Sequence, residues 1–316
     1  MQKSTPKISL VIPIFNEQEV IPELFKRLEQ VAVSNAEIFQ LSIIFVDDGS
    51  TDKSVDIIKQ IPTDLEFKLI QFSRNFGHQA AVMAGITNAD GDAVVIMDAD
   101  LQDPPEVIAE FVKQWQKGFH VVYGKRISRD GESLFKKTSA AMFYRLLHWL
   151  TEVDIPLDSG DFRLIDKKVA DSLKGMNEKS VFIRGLIAWM GYRQTPVEYR
   201  REARFAGKTK YPMKKMIALA SDAILAFSEK PLRLISKIGG AIFLAAIMFS
   251  VFVLSAKIFG SGYEAPGWMS IMLAILTLSG FQILCLGVIG SYILRVYRQT
   301  RNRPVFLVMD EYKNNG

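Results

Sequence analysis

The sequence contains a single cysteine, Cys285, and only 3 histidines. A lone thiol excludes an internal disulfide, a CxxC redox pair and any cysteine-built zinc site, so nothing calls for an oxidising compartment. The first 30 residues also lack the apolar core of a signal peptide. Met1–Lys7 is polar, and the short apolar run Ile8–Phe15 carries Pro13 and gives way to Asn16 and Glu17. The N-terminal part is therefore expected to begin and remain in the cytosol. Internal repeats and low-complexity tracts are absent as well. What is present is a chain of 316 residues, 49% hydrophobic and 23% charged, long enough to bury a sizeable core. Disorder, collagen and a small disulfide scaffold are excluded. The net charge of +5 suits nucleic acid, anionic lipid or phosphorylated substrates, and its distribution must decide among them.

From Ile8 to about His120, short aliphatic runs alternate with helical patterns of about 10–15 residues. The runs are Ile8–Ile14, Leu41–Val46, Phe67–Phe72, Ala93–Met97 and Val121–Tyr123. They are continuously apolar, as expected of strands buried on both faces of a parallel sheet. The reading is an open, Rossmann-like α/β sheet with helices on both faces and ligands at the carboxyl ends of its strands.

The C-terminal quarter differs in kind. Ile238–Ala256 runs 19 residues without a charge and Gly267–Leu294 runs 28, against the roughly 20 apolar residues that span a bilayer. Two transmembrane helices are expected, at about 235–258 and 268–294 within a membrane domain 233–296. They follow a cytoplasmic domain 1–232 and precede a cytoplasmic tail 297–316. Lys230, Arg233 and Lys237 precede the first span and Arg295, Arg298, Arg301 and Arg303 follow the second, which places both ends in the cytoplasm. Two further stretches, near 134–150 and 212–230, mix apolar residues with Lys136, Lys137, Arg145, Lys214 and Lys215. They read as helices lying in the membrane interface, or alternatively as ordinary packed helices. Because the basic residues gather on this membrane side, a nucleic-acid partner is not expected.

Carboxylates cluster where the strands end. Ala93–Met97 leads into Asp98, Asp100, Gln102 and Asp103, and two carboxylates at i and i+2 can share a hard divalent cation that also holds a diphosphate. Asp103, before Pro104 and Pro105, reads as a helix cap. An earlier strand ends in Asp47 and Asp48, one of which can cap the helix starting near Asp52, and the first ends near Phe15 and Glu17. Carboxylates gathered on one sheet edge repel unless they meet a cation or hydrogen-bond donors such as a base N–H and ribose hydroxyls. His78 can touch a phosphate or sugar or pack locally at a helix start, while His120 and His148 read as structural.

The chain resembles the family 2 glycosyltransferases of GT-A fold, and among them the membrane-anchored polyprenyl-phosphate group of bactoprenol glucosyltransferases and dolichol-phosphate mannose synthases. The matching pieces are VIPIFNE (11–17), VDDGSTD (46–52), SRNFGHQAA (73–81), MDADLQDPPE (97–106), GKR (124–126), DSGDFRL (158–164) and GKTKY (207–211), in order along nearly the whole chain. The resemblance implies a nucleoside pocket of Pro13, Phe15, Glu17, Asp47 and Asp48. It implies Mg²⁺ or Mn²⁺ on Asp98 and Asp100, Gln102 near the reacting centre, and Asp158 as a catalytic or orienting carboxylate. Arg126, Arg163, Arg204, Lys208 and Lys210 become candidates for gripping the acceptor phosphate or the leaving diphosphate.

The implied reaction is inverting transfer of one sugar to undecaprenyl phosphate, with UDP-glucose the first choice of donor and GDP-mannose or another nucleotide sugar the alternative. A lipid phosphate with a second pKa of about 6 is already largely ionised at neutral pH, so Asp158 need not act as a base. A membrane-anchored binder without turnover is the competing class, which the paired carboxylates argue against. A processive synthase would carry a Q-x-x-R-W signature and more spans. The resemblance further implies a homo-oligomer, with a tetramer one arrangement it allows.

Overall fold

The computed structural model describes residues 5–127, 159–176, 178, 182–202, 230–258 and 267–314. An eight-stranded sheet organises them, in the order β7-β5-β6-β4-β1-β2-β3-β8. Its strands are β1 (Lys7–Ile14), β2 (Gln40–Asp47), β3 (Phe67–Phe72), β4 (Ala93–Ile96), β5 (Val121–Arg126), β6 (Ser159–Asp166), β7 (Gln194–Tyr199) and β8 (Val308–Asn314). The five expected strands are all present to within a few residues. β6 runs antiparallel to β4 and β5, and β8 runs antiparallel to β3, so the sheet is mixed.

The continuous apolar runs have a simple cause. Side chains alternate between two cores on opposite faces: Leu10, Ile12, Ile43, Phe45 and Val95 point into one, and Val11, Ile44, Val46, Val94 and Ile96 into the other. The first core is covered by α1 (Ile21–Ser34), α2 (Ser54–Gln60) and α4 (Ile108–Gln116), which contribute Leu24, Phe25, Ile58 and Phe111. The second is covered by α3 (His78–Asn88), α5 (Lys167–Gly175) and α6 (Ile183–Trp189), through Ala81, Ala84, Leu173 and Ile187. After β1 the chain builds outward through β2 and β3, then returns to lay β4 on the other side of β1. The order therefore reverses between β1 and β4, and ligands of such sheets bind at the carboxyl ends of the strands at that point.

Helices α7 (Lys230–Ile258) and α8 (Gly267–Thr300) fall where the uncharged stretches predict them. They leave large apolar side chains exposed, among them Leu244, Met248, Ile283 and Leu286. By length and composition, one stretch among the described residues, Leu278–Thr300, is apolar enough to cross a membrane. Within the segment expected as a cytoplasmic tail, Val308–Asn314 forms an eighth strand. β8 pairs with β3, Phe306 stacks on Phe72 with ring centroids 5.0 Å apart, and Lys59 and Lys68 pair with Asp310 and Glu311. The proposed interface helices near 134–150 and 212–230 lie outside the described residues, apart from Lys230.

Candidate active site

The parallel strands β1 to β4 deliver their carboxyl ends to one edge. Phe15, just past β1, is 37% exposed, while Pro13 is buried inside the strand. Asn16 adopts a left-handed φ of 55° and ties this loop to the next, since its Oδ1 accepts from the Thr51 amide at 2.8 Å and its own amide donates to Ser50 Oγ. The Glu17 amide donates to Ser54 Oγ. The exposed ring of Phe15 and the acidic Glu17 thus stand on a loop fixed to the β2 loop.

Asp47 and Asp48 are both buried and serve different ends. Asp47 accepts from the Ser50 amide and closes the turn, so neither aspartate caps α2; Asp52 accepts from the Ser54 amide instead. Asp48 reaches across to the β3–α3 loop and accepts from the amides of Phe76, at 2.6 Å, and Gly77. Burial pushes both carboxyls above their ordinary range, and these hydrogen bonds pull the other way. Gly77 sits at φ 103°, a conformation that residues with a Cβ rarely adopt, and it lets the loop turn into α3 with His78 in the first helical position. Replacing Asp48 by Ala leaves two amides without their acceptor and is expected to cost about 2 kcal/mol, read as a lower midpoint of chemical unfolding.

β4 ends in the D-x-D pair. Asp98 is half-buried, and its Oδ1 has no hydrogen-bond partner. Burial raises its pKa to about 6, opposed by His78 and assisted by the charges of Asp161, Asp103 and Asp100. Asp100 is buried and accepts from the Gln102 amide, across a turn in which Leu101 takes φ 55°. An orphaned, buried carboxylate oxygen beside a second carboxylate is a donor set that suits a hard divalent cation. Among the described residues no group of three or more His, Cys, Asp or Glu side chains is arranged to hold a metal, so such an ion would need oxygen donors from a diphosphate and water as well.

A charged cluster adjoins Asp98. Asp161, at the start of β6, receives His78 Nε2 on Oδ2 at 3.2 Å and lies 3.0 Å from Arg184 Nε through Oδ1; His78 Nε2 is also 3.6 Å from Asp98 Oδ1. Burial alone would lower the His78 pKa, but the hydrogen bond to Asp161 and the charges of Asp98 and Asp161 outweigh it and push it up to about 9. Asp161 is held well below the ordinary carboxylate range against its own burial, chiefly by His78 and Arg184. The helix-start histidine therefore bridges two carboxylates. Arg163, two residues along β6, is buried behind them, donates to the Gly160 carbonyl at 2.9 Å, and has its pKa lowered by burial to about 10.

On the other side of the carboxylate loop, Asp103 is 1% exposed. Sequence reasoning makes it a helix cap, but the short helix Pro105–Val107 begins without a side-chain cap. Asp103 instead accepts from the Tyr199 hydroxyl and faces Arg126 and Arg201 at 3.7 and 3.8 Å. The partner that claims it lies 96 positions away at the end of β7, which no local pattern reveals. Arg126 crosses β6 where a Cβ on Gly160 would lie 2.6 Å from its Nη2, so the glycine makes room for the guanidinium.

The structure thus gathers Phe15, Glu17, Asp47, Asp48, Asp98, Asp100, Gln102 and Arg126 along one sheet edge. Asp158, Arg204, Lys208 and Lys210 lie outside the described residues. Sequence reasoning missed Asp161 and Arg184. Asp161 sat within the DSGDFRL segment as an available signal, whereas Arg184 had none. An open α/β sheet whose strand order reverses beside a pair of carboxylates is a framework for binding a ligand at the carboxyl ends of its strands.

The chain belongs to glycosyl transferase family 2, whose profile matches residues 9–174. It is 47% identical over 305 residues to a glycosyltransferase of Bacillus subtilis (strain 168), covering 96% of this chain and 94% of that one. It is 36% identical over 313 residues to the SfII prophage-derived bactoprenol glucosyl transferase of Shigella flexneri, covering 98% and 99%. The fold matches that of a mannosyltransferase from Pyrobaculum calidifontis solved with GDP-Man and Mn²⁺, with TM-score 0.52, 16% identity and coverage of 94% and 87%.

Proposed function

We propose that the protein transfers one sugar, glucose from UDP-glucose, to undecaprenyl phosphate at the cytoplasmic face of the membrane, with inversion at the anomeric carbon. The observation that carries this reading is the Asp98–Asp100 pair where the strand order reverses, in a chain whose bactoprenol glucosyl transferase relative matches it end to end. In the reaction an oxygen of the lipid phosphate forms a bond to the anomeric carbon while the bond from that carbon to the diphosphate breaks. The nucleoside diphosphate leaves with the electron pair. No proton has to move, because a phosphate monoester with second pKa about 6 is already ionised at neutral pH.

Mg²⁺ or Mn²⁺, held by Asp98 and Asp100, would neutralise the leaving diphosphate. Phe15 offers an exposed ring for the base and Glu17 an acceptor for ribose hydroxyls. Arg126, with Arg204, Lys208 and Lys210 from the basic segment, supplies positive charge for the acceptor phosphate.

The membrane reading rests on α7 and α8 crossing as a hairpin. Because β8 pairs with β3, the chain before α7 and after α8 must lie on one side, which requires an even number of crossings. The arginines after Leu294 and the basic residues around Lys230 support a cytoplasmic placement of that side. Purified protein is expected to move radiolabel from UDP-glucose into the organic-extractable fraction when given undecaprenyl phosphate and Mg²⁺ or Mn²⁺, and EDTA is expected to stop it. No label from UDP-glucose or from GDP-mannose would overturn the reading.

A further inference from the structure

We propose that Arg27 is a positioning residue that fixes the carboxylate loop after β4 from outside the site. Arg27 lies on α1, and its side chain is only 15% exposed. One edge of its guanidinium engages Glu106, with Nε to Oε1 at 2.9 Å and Nη2 to Oε2 at 2.5 Å. The other edge engages Glu202, with Nη1 to Oε2 at 2.9 Å and Nη2 to Oε1 at 3.0 Å. Both edges of the planar fork are in use, so this arginine is committed to protein rather than to an anionic ligand.

What it holds is the significant part. Glu106 closes the segment that begins at Asp98. The Glu202 amide donates to the Gln102 carbonyl at 3.0 Å, in the middle of that segment, and Gln102 in turn donates its own amide to Asp100 Oδ1. Arg27 therefore grips the loop at its far end directly and at its centre through Glu202. Asp103, between these two points, is held by Tyr199 from the same β7 terminus. Asp100 hangs from a loop with a left-handed residue at Leu101, a conformation that persists when its surroundings over-determine it. The brace also joins this loop to α1, which follows directly from the loop of Phe15 and Glu17.

Stability and positioning separate cleanly here. Glu106 and Glu202 are about half exposed, with side-chain exposures of 52% and 48%, so water can solvate them once Arg27 is gone and little stability is at stake. A loop that loses its brace must instead be ordered when ligand binds, which weakens binding.

The inference rests on the reading of this edge as a site for a nucleoside diphosphate with a divalent cation. Calorimetric titration of the full-length protein with UDP, and separately GDP, in the presence of Mn²⁺ tests it. Arg27→Met is expected to weaken nucleotide binding about tenfold with the unfolding midpoint nearly unchanged, and Arg27→Lys, which keeps the charge but loses the fork, to weaken it less. Glu202→Gln is expected to weaken binding in the same sense, and the double variant to be no worse than Arg27→Met alone, because both remove one connection. Wild-type affinity in Arg27→Met, or additive losses in the double variant, overturns the positioning role while leaving the site reading intact. A wild-type protein that binds neither nucleotide overturns the site reading and this inference with it. If Arg27→Met fails to fold, the milder Glu202→Gln carries the same comparison.

Discussion

Replacing Asp98 or Asp100 by Ala is expected to abolish sugar transfer, by a factor of at least about 10³, and Asp98→Ala to leave the unfolding midpoint nearly unchanged. The two outcomes diverge for a physical reason. Asp98 Oδ1 is buried without a hydrogen-bond partner, and burial lifts its pKa to about 6, so the folded protein gains little from keeping this carboxylate ionised. Loss of such a residue is expected to be felt in the reaction rather than in the fold. Radiolabel transfer and thermal unfolding, measured on the same preparations, check both halves. An active double variant would remove the pair from the site.

Asp161 is expected to behave in the opposite way. It is the common counter-ion of the part-buried His78 and Arg184 and lies close to the buried Arg163, so Asp161→Ala leaves these cations uncompensated and is expected to cost about 3 kcal/mol as well as activity. Its signature is a pH dependence. The folded-state pKa of His78, about 9, lies above its ordinary 6.5, so the stabilisation from its protonation is fully present below about pH 6.5 and is lost as pH rises through 9. Denaturant unfolding of the protein in EDTA is expected to show that decline between pH 6.5 and 9, and Asp161→Asn to flatten it. A slope unchanged in Asp161→Asn would mean that His78 is held protonated by other groups.

How much of this was legible depended on where the deciding partner lies. β1 to β5 could be read because strands covered on both faces are apolar at most positions rather than at alternate ones. β6, β7 and β8 were not foreseen, because the segments SGDFRLID, QTPVEY and VMDEYKN are rich in polar and charged residues, and β8 is exposed along most of its length. The same distinction runs through the site. Asp98 and Asp100 are spaced for a shared ligand and follow a strand, which is local information. Asp103 looks like a cap until Tyr199 arrives, and the ties of Asp161 to His78 and Arg184 require β6 to be laid antiparallel beside β4. The Asp48 clamp on the Phe76 and Gly77 amides depends likewise on two loops meeting in space.

The pairing of β8 with β3 bears on the order of events during synthesis. Lys59 waits for Asp310, a partner 251 positions later. A ribosome therefore releases β1 to β3, then the rest of the sheet, then the two long apolar helices, before the outer strand exists. Throughout that interval the edge of β3 stands open, a template to which other unpaired strands can attach. Closure comes only when α7 and α8 have been made and the chain has brought residue 308 back to the edge of β3. A copy that fails to bring β8 back leaves the edge of β3 open, and an open edge invites aggregation. The strand that closes the sheet is thus made only after both long apolar helices.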